Sequence, residues 1–151
     1  MNIKKIVQWI LCLSFMSVLS LAATKESKPG TKTGAILTRQ KVAGFLAKES
    51  GLFNRYVPAK ADDKWCVDFL SKLGVQLYLK GESNETGFSK KDMARVLGQI
   101  ELLLNGEATY LNGGIQVPKN IKSWIEFCAI NKVEYRTTYE AMQNNFIKGL
   151  K

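Results

Sequence analysis

The sequence predicts a mainly α-helical protein, with one small domain of about five short helices and a short β-hairpin behind a cleaved signal peptide. Apolar residues make up 46% of the chain, a normal share for a globular domain. Beyond position 37, apolar residues recur mainly at three- and four-residue spacing, which is typical of amphipathic helices. Capping residues precede several of these stripes and glycines follow them, so the helices are expected to be short.

The N-terminus predicts export. Met1–Lys5 is short and basic, residues 6–21 are almost continuously apolar, and Ser20-Leu21-Ala22 places small residues where a signal peptidase reads them. The apolar run falls short of the ~20 residues that a membrane-spanning helix needs. Residues 1–22 are therefore predicted to be a signal peptide, cut before Ala23. The mature protein would have no transmembrane segment and would lie in the periplasm, at the cell surface or outside the cell.

The next segment differs in composition from the rest of the chain. Residues 23–34 (ATKESKPGTKTG) contain no large apolar side chain and are rich in Lys, Thr and Gly. This composition is typical of a flexible, solvated linker. The sequence thus predicts a basic tether over 23–34 and a helical domain over 35–151.

The first two helices are predicted from their caps and terminators. Thr38 is a suitable N-cap for a helix that ends at Gly51. Asp62 or Asp63 caps the second helix, which Gly74 ends. The apolar stripe of this second helix consists of Trp65, Phe69, Leu70 and Leu73.

Three further helices follow. Ser89 and Asp92 form a capping box that opens the longest helix, which runs to Gly106. Asn120 is the predicted cap of a fourth helix. A second capping box, Thr137 to Glu140, is expected to open the terminal helix.

Short extended segments lie between these helices. Residues 109–117 contain Asn112-Gly113 between apolar residues, which predicts a β-hairpin with a tight turn. The alternation of apolar and polar residues over 75–79 and over 133–136 predicts two further brief strands.

Charge and residue usage limit the function. The chain carries 22 Lys and Arg against 13 Asp and Glu, a net charge of +9, and it contains no histidine. An exported protein with this balance meets anionic envelope polymers before it meets nucleic acid, so no nucleic-acid partner is predicted. Without histidine, the usual zinc sites and Ser-His or Cys-His nucleophiles cannot form, and we predict no metal, no cofactor and no catalytic residue.

Two of the three cysteines survive signal cleavage. Cys66 and Cys128 form an even pair in an oxidising compartment, which favours one disulfide that closes a loop of more than sixty residues. The alternative is two separate buried thiols that act as small apolar residues.

Two segments of the chain echo each other. Leu37-Thr38-Arg39 is matched 51 residues later by Phe88-Ser89-Lys90, and similar apolar residues follow each triplet. Between them lie Trp65, Phe69, Leu73, Gly74 and Val75. In this order the unit resembles the S-layer homology repeat of bacterial envelope proteins, which pairs a Trp-containing helix with a later helix opened by Thr-Arg-Ala-Glu.

The resemblance implies a binding role. In that family the Thr-Arg-Ala-Glu helix starts hold a charged wall polysaccharide, with the Arg as an anion contact. Residue by residue, this implicates Thr38, Arg39, Ser89, Lys90 and Asp92. Two departures weaken the match: the first copy has Gln-Lys in place of Ala-Glu, and Lys90 replaces the Arg and so lacks its planar fork.

Three functions remain open at this stage. The first is a non-catalytic module that binds an anionic envelope glycan. The second is a secreted structural or protein-binding subunit whose partner is another envelope protein. The third is a hydrolase, which would need two carboxylates about 5–10 Å apart across a cleft. Its candidates are Asp62, Asp63, Asp68, Glu101 and Glu107.

Overall fold

The computed structural model describes residues 36–149. The predicted signal peptide (1–22) and basic tether (23–34) lie outside the described residues. Residues 36–149 contain five α-helices, a π-helical segment and one two-stranded antiparallel hairpin. The predicted mainly α fold with a short β-hairpin is therefore confirmed.

The first helix, α1 (Arg39–Gly44), continues into a π-helical segment, Phe45–Glu49. As predicted, Thr38 is the N-cap, and its hydroxyl accepts a hydrogen bond from the Lys41 amide at 3.3 Å. The Ser50 amide donates to the Phe45 carbonyl at 2.9 Å, which closes the wider π turn. Gly51 (φ 75°) then takes the left-handed conformation that ends the helix.

The second helix, α2 (Asp63–Lys72), also begins and ends as predicted. The Asp62 carboxylate accepts a hydrogen bond from the Trp65 amide at 2.7 Å and so caps the helix. Gly74 (φ 85°) turns the chain, and the Val75 amide donates back to the Leu70 carbonyl at 3.0 Å. A Cβ at Gly74 would lie 2.5 Å from the ring of Tyr110, so the position also needs the smallest side chain.

The strand predicted over 75–79 does not form, and the segment is irregular with a bend at Leu77. Side chains, rather than a neighbouring strand, bind its backbone. Gln99 accepts from the Gln76 amide at 2.8 Å, Arg95 donates to the Gln76 carbonyl at 3.0 Å, and Arg39 donates to the Leu77 carbonyl at 2.9 Å. These bonds satisfy buried backbone groups that would otherwise require a sheet partner.

The third helix, α3 (Lys90–Leu104), is the longest, and its predicted capping box is present. The Asp92 amide donates to the Ser89 hydroxyl at 3.2 Å, while the Ser89 amide donates to the Asp92 carboxylate at 2.9 Å. Most of the residues from 92 to 102 are buried, so α3 runs through the centre of the domain.

The predicted hairpin consists of β1 (Tyr110–Leu111) and β2 (Gly114–Ile115), with Tyr110 opposite Ile115. Asn112 (φ 51°) and Gly113 (φ 79°) are both left-handed, as a type I′ turn requires. Gln99 of α3 donates to the Ile115 carbonyl at 2.8 Å and anchors the hairpin to the core.

The fourth helix, α4 (Trp124–Asn131), begins later than predicted. Asn120 is not its cap. Ser123 is the cap instead, because its hydroxyl accepts from the Glu126 amide at 3.2 Å. Asn120 lies in a turn that is closed by a bond from the Ile121 amide to the Pro118 carbonyl at 2.9 Å.

The fifth helix, α5 (Tyr135–Lys148), begins earlier than predicted. Both the strand expected over 133–136 and the capping box expected at Thr137 are wrong. Left-handed Lys132 (φ 55°) ends α4, and the Val133 amide donates to the Cys128 carbonyl at 2.9 Å, so the chain turns directly into α5. Too few residues separate the two helices to form a strand.

The helices pack in two groups. Helix α1 packs against α2, while α3 contacts both α4 and α5. One hydrophobic core joins the groups and draws on every helix and on the hairpin. Within residues 36–149, no helix has the length and apolarity needed to cross a membrane.

The predicted disulfide is not formed. Cys66 and Cys128 are both buried free thiols. Cys66 lies on α2, which packs against α1, whereas the Cys128 thiol donates to the Ala94 carbonyl of α3 at 3.3 Å. The two thiols therefore occupy separate parts of the core, as the alternative reading of the sequence expected. Burial raises the pKa of Cys128 to about 12.

Candidate functional site

Arg39, the anion contact that the resemblance implies, is not exposed. Its side chain is completely buried (0% exposed). Its guanidinium donates to the carbonyls of Leu77 and Thr86, and its Nη2 lies 3.0 Å from Glu82 Oε1. The rings of Tyr78 and Phe88 flank the cation at 5.6 and 5.8 Å. Arg39 thus holds the 77–87 segment in place, and its side chain lies on no surface that a ligand can contact.

Lys90, at the equivalent position of the second copy, has a different environment. It is exposed and forms an ion pair with Glu140 of α5 at 2.6 Å. The pKa of Glu140 is lowered by this hydrogen bond and by the lysine charge. Equivalent positions of the sequence echo are therefore not equivalent in environment. Thr38 caps α1.

Asp92 lies where several of the predicted residues meet. Burial by itself would raise the pKa of its carboxyl, but hydrogen bonds from Ser89 and the charges of Arg95 and Arg39 outweigh burial and lower it. Arg95 Nη1 is 2.9 Å from Asp92 Oδ1, and Arg39 Nη2 is 3.6 Å from Oδ2. The carboxylate therefore stays ionised and bound, which suits a structural anchor rather than a proton-transfer group.

A cavity of about 670 Å³ adjoins this anchor. Its size falls in the range of small-molecule sites. Ser89 and Asp92 line it, so two of the five residues implicated by the resemblance are at this site, whereas Thr38, Arg39 and Lys90 are not in its lining. The other lining residues are Gln76, Leu79, Glu82, Gly87, Lys91, Arg95, Val117, Lys122, Ser123, Trp124 and Ile125.

Arg95 is the most unusual residue of the lining. It is only 7% exposed. Its Nε donates to the Gln76 carbonyl at 3.0 Å and its Nη1 pairs with Asp92, both of which also line the cavity. The remaining nitrogen, Nη2, is buried and has no hydrogen-bond partner within residues 36–149. Nη2 of Arg39 and Oε2 of Glu101 are likewise buried without a hydrogen-bond partner in this range, so the orphan nitrogen does not by itself mark Arg95 as a binding group.

The cavity carries uncompensated positive charge. Lys91 and Lys122 line it, and neither forms a salt bridge within the described part of the chain. Its two carboxylates are already bound: Asp92 by the arginines, and Glu82 by Arg39 and by the Leu79 amide at 2.7 Å. Two N-cap residues, Ser89 of α3 and Ser123 of α4, place the positive ends of two helix dipoles at the same wall.

One side of the cavity is apolar. Trp124 is half-buried, and a Cβ at Gly98 of α3 would lie 2.6 Å from its ring, so the glycine lets the indole approach the helix closely. Ile125 and Leu79 are exposed at the same cavity, and Val117 is half-buried. An anion with an apolar or sugar-like body attached fits this combination of surfaces.

The hydrolase candidates do not gather around the cavity. Asp62 caps α2, Asp63 forms ion pairs with Lys41 at 2.9 Å and Lys48 at 3.6 Å, and Glu101 is buried against Asn105. None of the five carboxylates named from the sequence lines the cavity. Within residues 36–149, no group of three or more His, Cys, Asp or Glu side chains is placed to hold a metal ion.

Sequence reasoning missed the cations of this site. Lys91 and Arg95 are four residues apart on α3 and so share a face, and Arg95 follows the capping Asp92 by three positions, a spacing that signals a helix ion pair. No comparable signal marks Lys122, which lies in the turn before α4.

Comparisons with known proteins add nothing to this assignment. A scan against protein-family models, a search of curated proteins and a search of solved structures each found no match. The function must therefore be inferred from the cavity itself.

Proposed function

We propose that the protein is an exported, non-catalytic module that binds an anionic group of an envelope polymer in the cavity next to Asp92. The observation that carries the proposal is the pair of lysines, Lys91 and Lys122, that line a cavity beside the Arg95–Asp92 ion pair and form no salt bridge within residues 36–149. An anion bound there offsets the unpaired charge of the two lysines.

A binding role suits this cavity better than catalysis. Both of its carboxylates are bound by arginine, and general acid–base chemistry requires a group that can exchange its proton near the working pH. The predicted signal peptide and the resemblance to S-layer homology repeats support an envelope polymer as the source of the anion. The cavity residues replace the buried Arg39 as the proposed contacts.

The proposal is tested by retention of the purified protein on cell-wall or outer-membrane material. The direct variant is Arg95→Gln, checked for folding by circular dichroism. The double variant Lys91→Ala/Lys122→Ala changes only exposed side chains and keeps the test valid if Arg95→Gln fails to fold. Its matched control is Lys64→Ala/Lys72→Ala, which removes the same charge from the exposed surface of α2.

The expected result is salt-sensitive retention, because exposed charges are screened over about 10 Å at 0.1 M salt and about 3 Å at 1 M. The cavity variants should bind about tenfold or more weakly, whereas the control should stay close to the parent protein. Equal losses in cavity and control variants would show that only net charge matters. No retention of the parent protein would exclude the polymer and favour a protein partner.

A further inference from the structure

The chain contains two Asn-Gly pairs, Asn105-Gly106 and Asn112-Gly113. In such a pair the backbone nitrogen of the glycine can attack the side-chain carbonyl carbon of the asparagine, because glycine has no Cβ to hinder the approach. All four residues are exposed, so water reaches both pairs. Residue type and exposure therefore do not distinguish the two pairs, but their hydrogen bonds do.

At Asn105-Gly106 both reacting groups are engaged. Asn105 is the C-cap of α3, and its Nδ2 donates to Glu101 Oε1 at 3.0 Å. The Gly106 amide donates to the Leu103 carbonyl at 3.2 Å, and the amides on either side of it donate to the Glu101 and Leu102 carbonyls at 3.1 and 2.9 Å. A reaction between Asn105 and Gly106 requires these bonds to break and the end of α3 to open.

At Asn112-Gly113 neither reacting group is engaged. The Gly113 amide donates no hydrogen bond within residues 36–149. The side-chain hydrogen bonds of the hairpin come from Tyr110 and Gln116, and Asn112 takes part in none of them. The nitrogen that attacks and the amide that would be lost are therefore both free to react.

The turn that contains this pair is closed by a short ladder. Strands β1 and β2 have two residues each, and Asn112 has a positive φ (51°), which few residues other than glycine adopt. A two-stranded ladder of this length is at the low-stability end of a fold and opens locally. Asn112 can therefore rotate toward the Gly113 nitrogen without any change in the helices.

We infer that Asn112 is a site of spontaneous covalent modification, in which its side-chain amide is replaced by a carboxylate. The Gly113 nitrogen forms a bond to Cγ of Asn112, the Cγ–Nδ2 bond breaks, and the displaced NH₂ leaves as ammonia with the Gly113 amide proton. Water then opens the cyclic imide at one of its two carbonyls, which gives aspartate or isoaspartate and consumes no oxidant or reductant. Neither residue lines the cavity, so the modification is independent of the proposed function.

The isoaspartate product changes the hairpin itself. Its main chain runs through Cβ and so contains one carbon more than an ordinary two-residue turn. The spacing that places Leu111 opposite Gly114 is then lost. The Gln116 amide, which donates to the Thr109 carbonyl at 2.8 Å, is expected to exchange its hydrogen with solvent faster in the modified protein.

The test follows both pairs in one sample. The purified protein is incubated in mildly alkaline buffer, with and without denaturing urea, and is then cut with a protease specific for glutamate. Cleavage at Glu107 places Asn105 and Asn112 on separate peptides, and mass spectrometry measures the conversion of each. In the folded protein Asn112 is expected to react about tenfold or more faster than Asn105, whose hydrogen bonds must break first. In urea the two rates should become similar.

The matched control is Asn112→Gln, whose longer side chain would have to close a six-membered ring. This variant should lose the conversion of the hairpin peptide and keep the rate at Asn105. Asn120 lies on the same peptide as Asn112 but precedes the β-branched Ile121, so it should stay unconverted.

Equal rates at Asn105 and Asn112 in the folded protein would overturn the inference. So would an Asn112 that reacts in urea but not in the folded state. Slow exchange of the Gln116 amide in purified isoaspartate-containing protein would overturn the predicted loosening of the hairpin.

Discussion

Arg39→Ala is expected to be strongly destabilising, because the substitution leaves buried groups without partners. The guanidinium is completely buried, binds the Leu77 and Thr86 carbonyls and lies 3.0 Å from the Glu82 carboxylate. Breaking a buried ion pair by removing one partner costs about 3–5 kcal/mol. Glu82 is partly exposed, so water can rehydrate it and the lower end of this range is expected. A loss of about 3 kcal/mol is still a large share of the roughly 5–15 kcal/mol that stabilises a typical domain.

Urea unfolding, followed by far-ultraviolet circular dichroism, measures this loss. Arg39→Lys keeps the positive charge but not the planar fork, so it should fall between the parent protein and Arg39→Ala. Lys90→Ala is the matched control, because it removes a cation from an exposed helix start and should leave the unfolding free energy nearly unchanged. If Arg39→Ala loses no more stability than Lys90→Ala, the buried structural role of Arg39 is wrong.

Three further predictions concern the backbone, the thiols and pH. Gly74→Ala should lower the free energy of unfolding, measured in urea, more than Gly106→Ala does. Both glycines are left-handed, a conformation that costs alanine roughly 1–2 kcal/mol, but only at Gly74 would the new Cβ lie 2.5 Å from Tyr110. Equal losses would contradict the packing described for the hairpin. Cys128, with its pKa raised to about 12, should resist alkylation at pH 8 until the protein is denatured, and non-reducing peptide mapping should recover it as a free thiol rather than in a disulfide. Because the pKa of Asp92 is lowered in the folded state, its ionised carboxylate stabilises the fold above the ordinary carboxyl pKa, and this stabilisation is lost as pH falls through the lowered value. The difference in unfolding free energy between the parent protein and Asp92→Asn should therefore narrow on acidification. A difference that does not depend on pH would refute this.

The parts of the fold that the sequence predicted correctly depend on local chemistry. Thr38, Asp62 and Ser89 each accept a bond from an amide three residues ahead, so the signal and its structural effect lie in the same short segment. The Asn112-Gly113 turn is also local, because it needs only two residues that tolerate positive φ.

The errors arise where distant residues decide between local alternatives. Asn120 and Ser123 are both acceptable N-caps, and only the turn closed at Pro118 shows that the chain is not yet helical at Asn120. Residues 75–79 have a strand-like pattern, but the backbone groups of Gln76 and Leu77 form hydrogen bonds with side chains of α1 and α3, which periodicity cannot reveal.

The candidate site was predictable only in part, for a related reason. Ser89 and Asp92 were named because the start of the third helix resembles the Thr-Arg-Ala-Glu helix start of the S-layer homology repeat. Arg39 and Arg95 look alike as residue types, yet Arg39 binds carbonyls more than thirty-five positions away and is fully buried, while Arg95 lines the cavity. Which arginine lies at the cavity depends on the path of the 77–87 segment, and that path is set by tertiary contacts.

The burial of Arg39 affects how a scan of this protein for binding residues must be interpreted. The segment that it holds supplies Leu79, Glu82 and Gly87 to the cavity, so a change at Arg39 would alter the shape of the cavity from behind. A scan that records only affinity would then score Arg39 as a contact residue, in apparent agreement with the sequence motif. Affinity measured alongside the unfolding free energy separates the two effects. Substitution of a residue that contacts the ligand lowers the affinity and leaves the unfolding free energy unchanged.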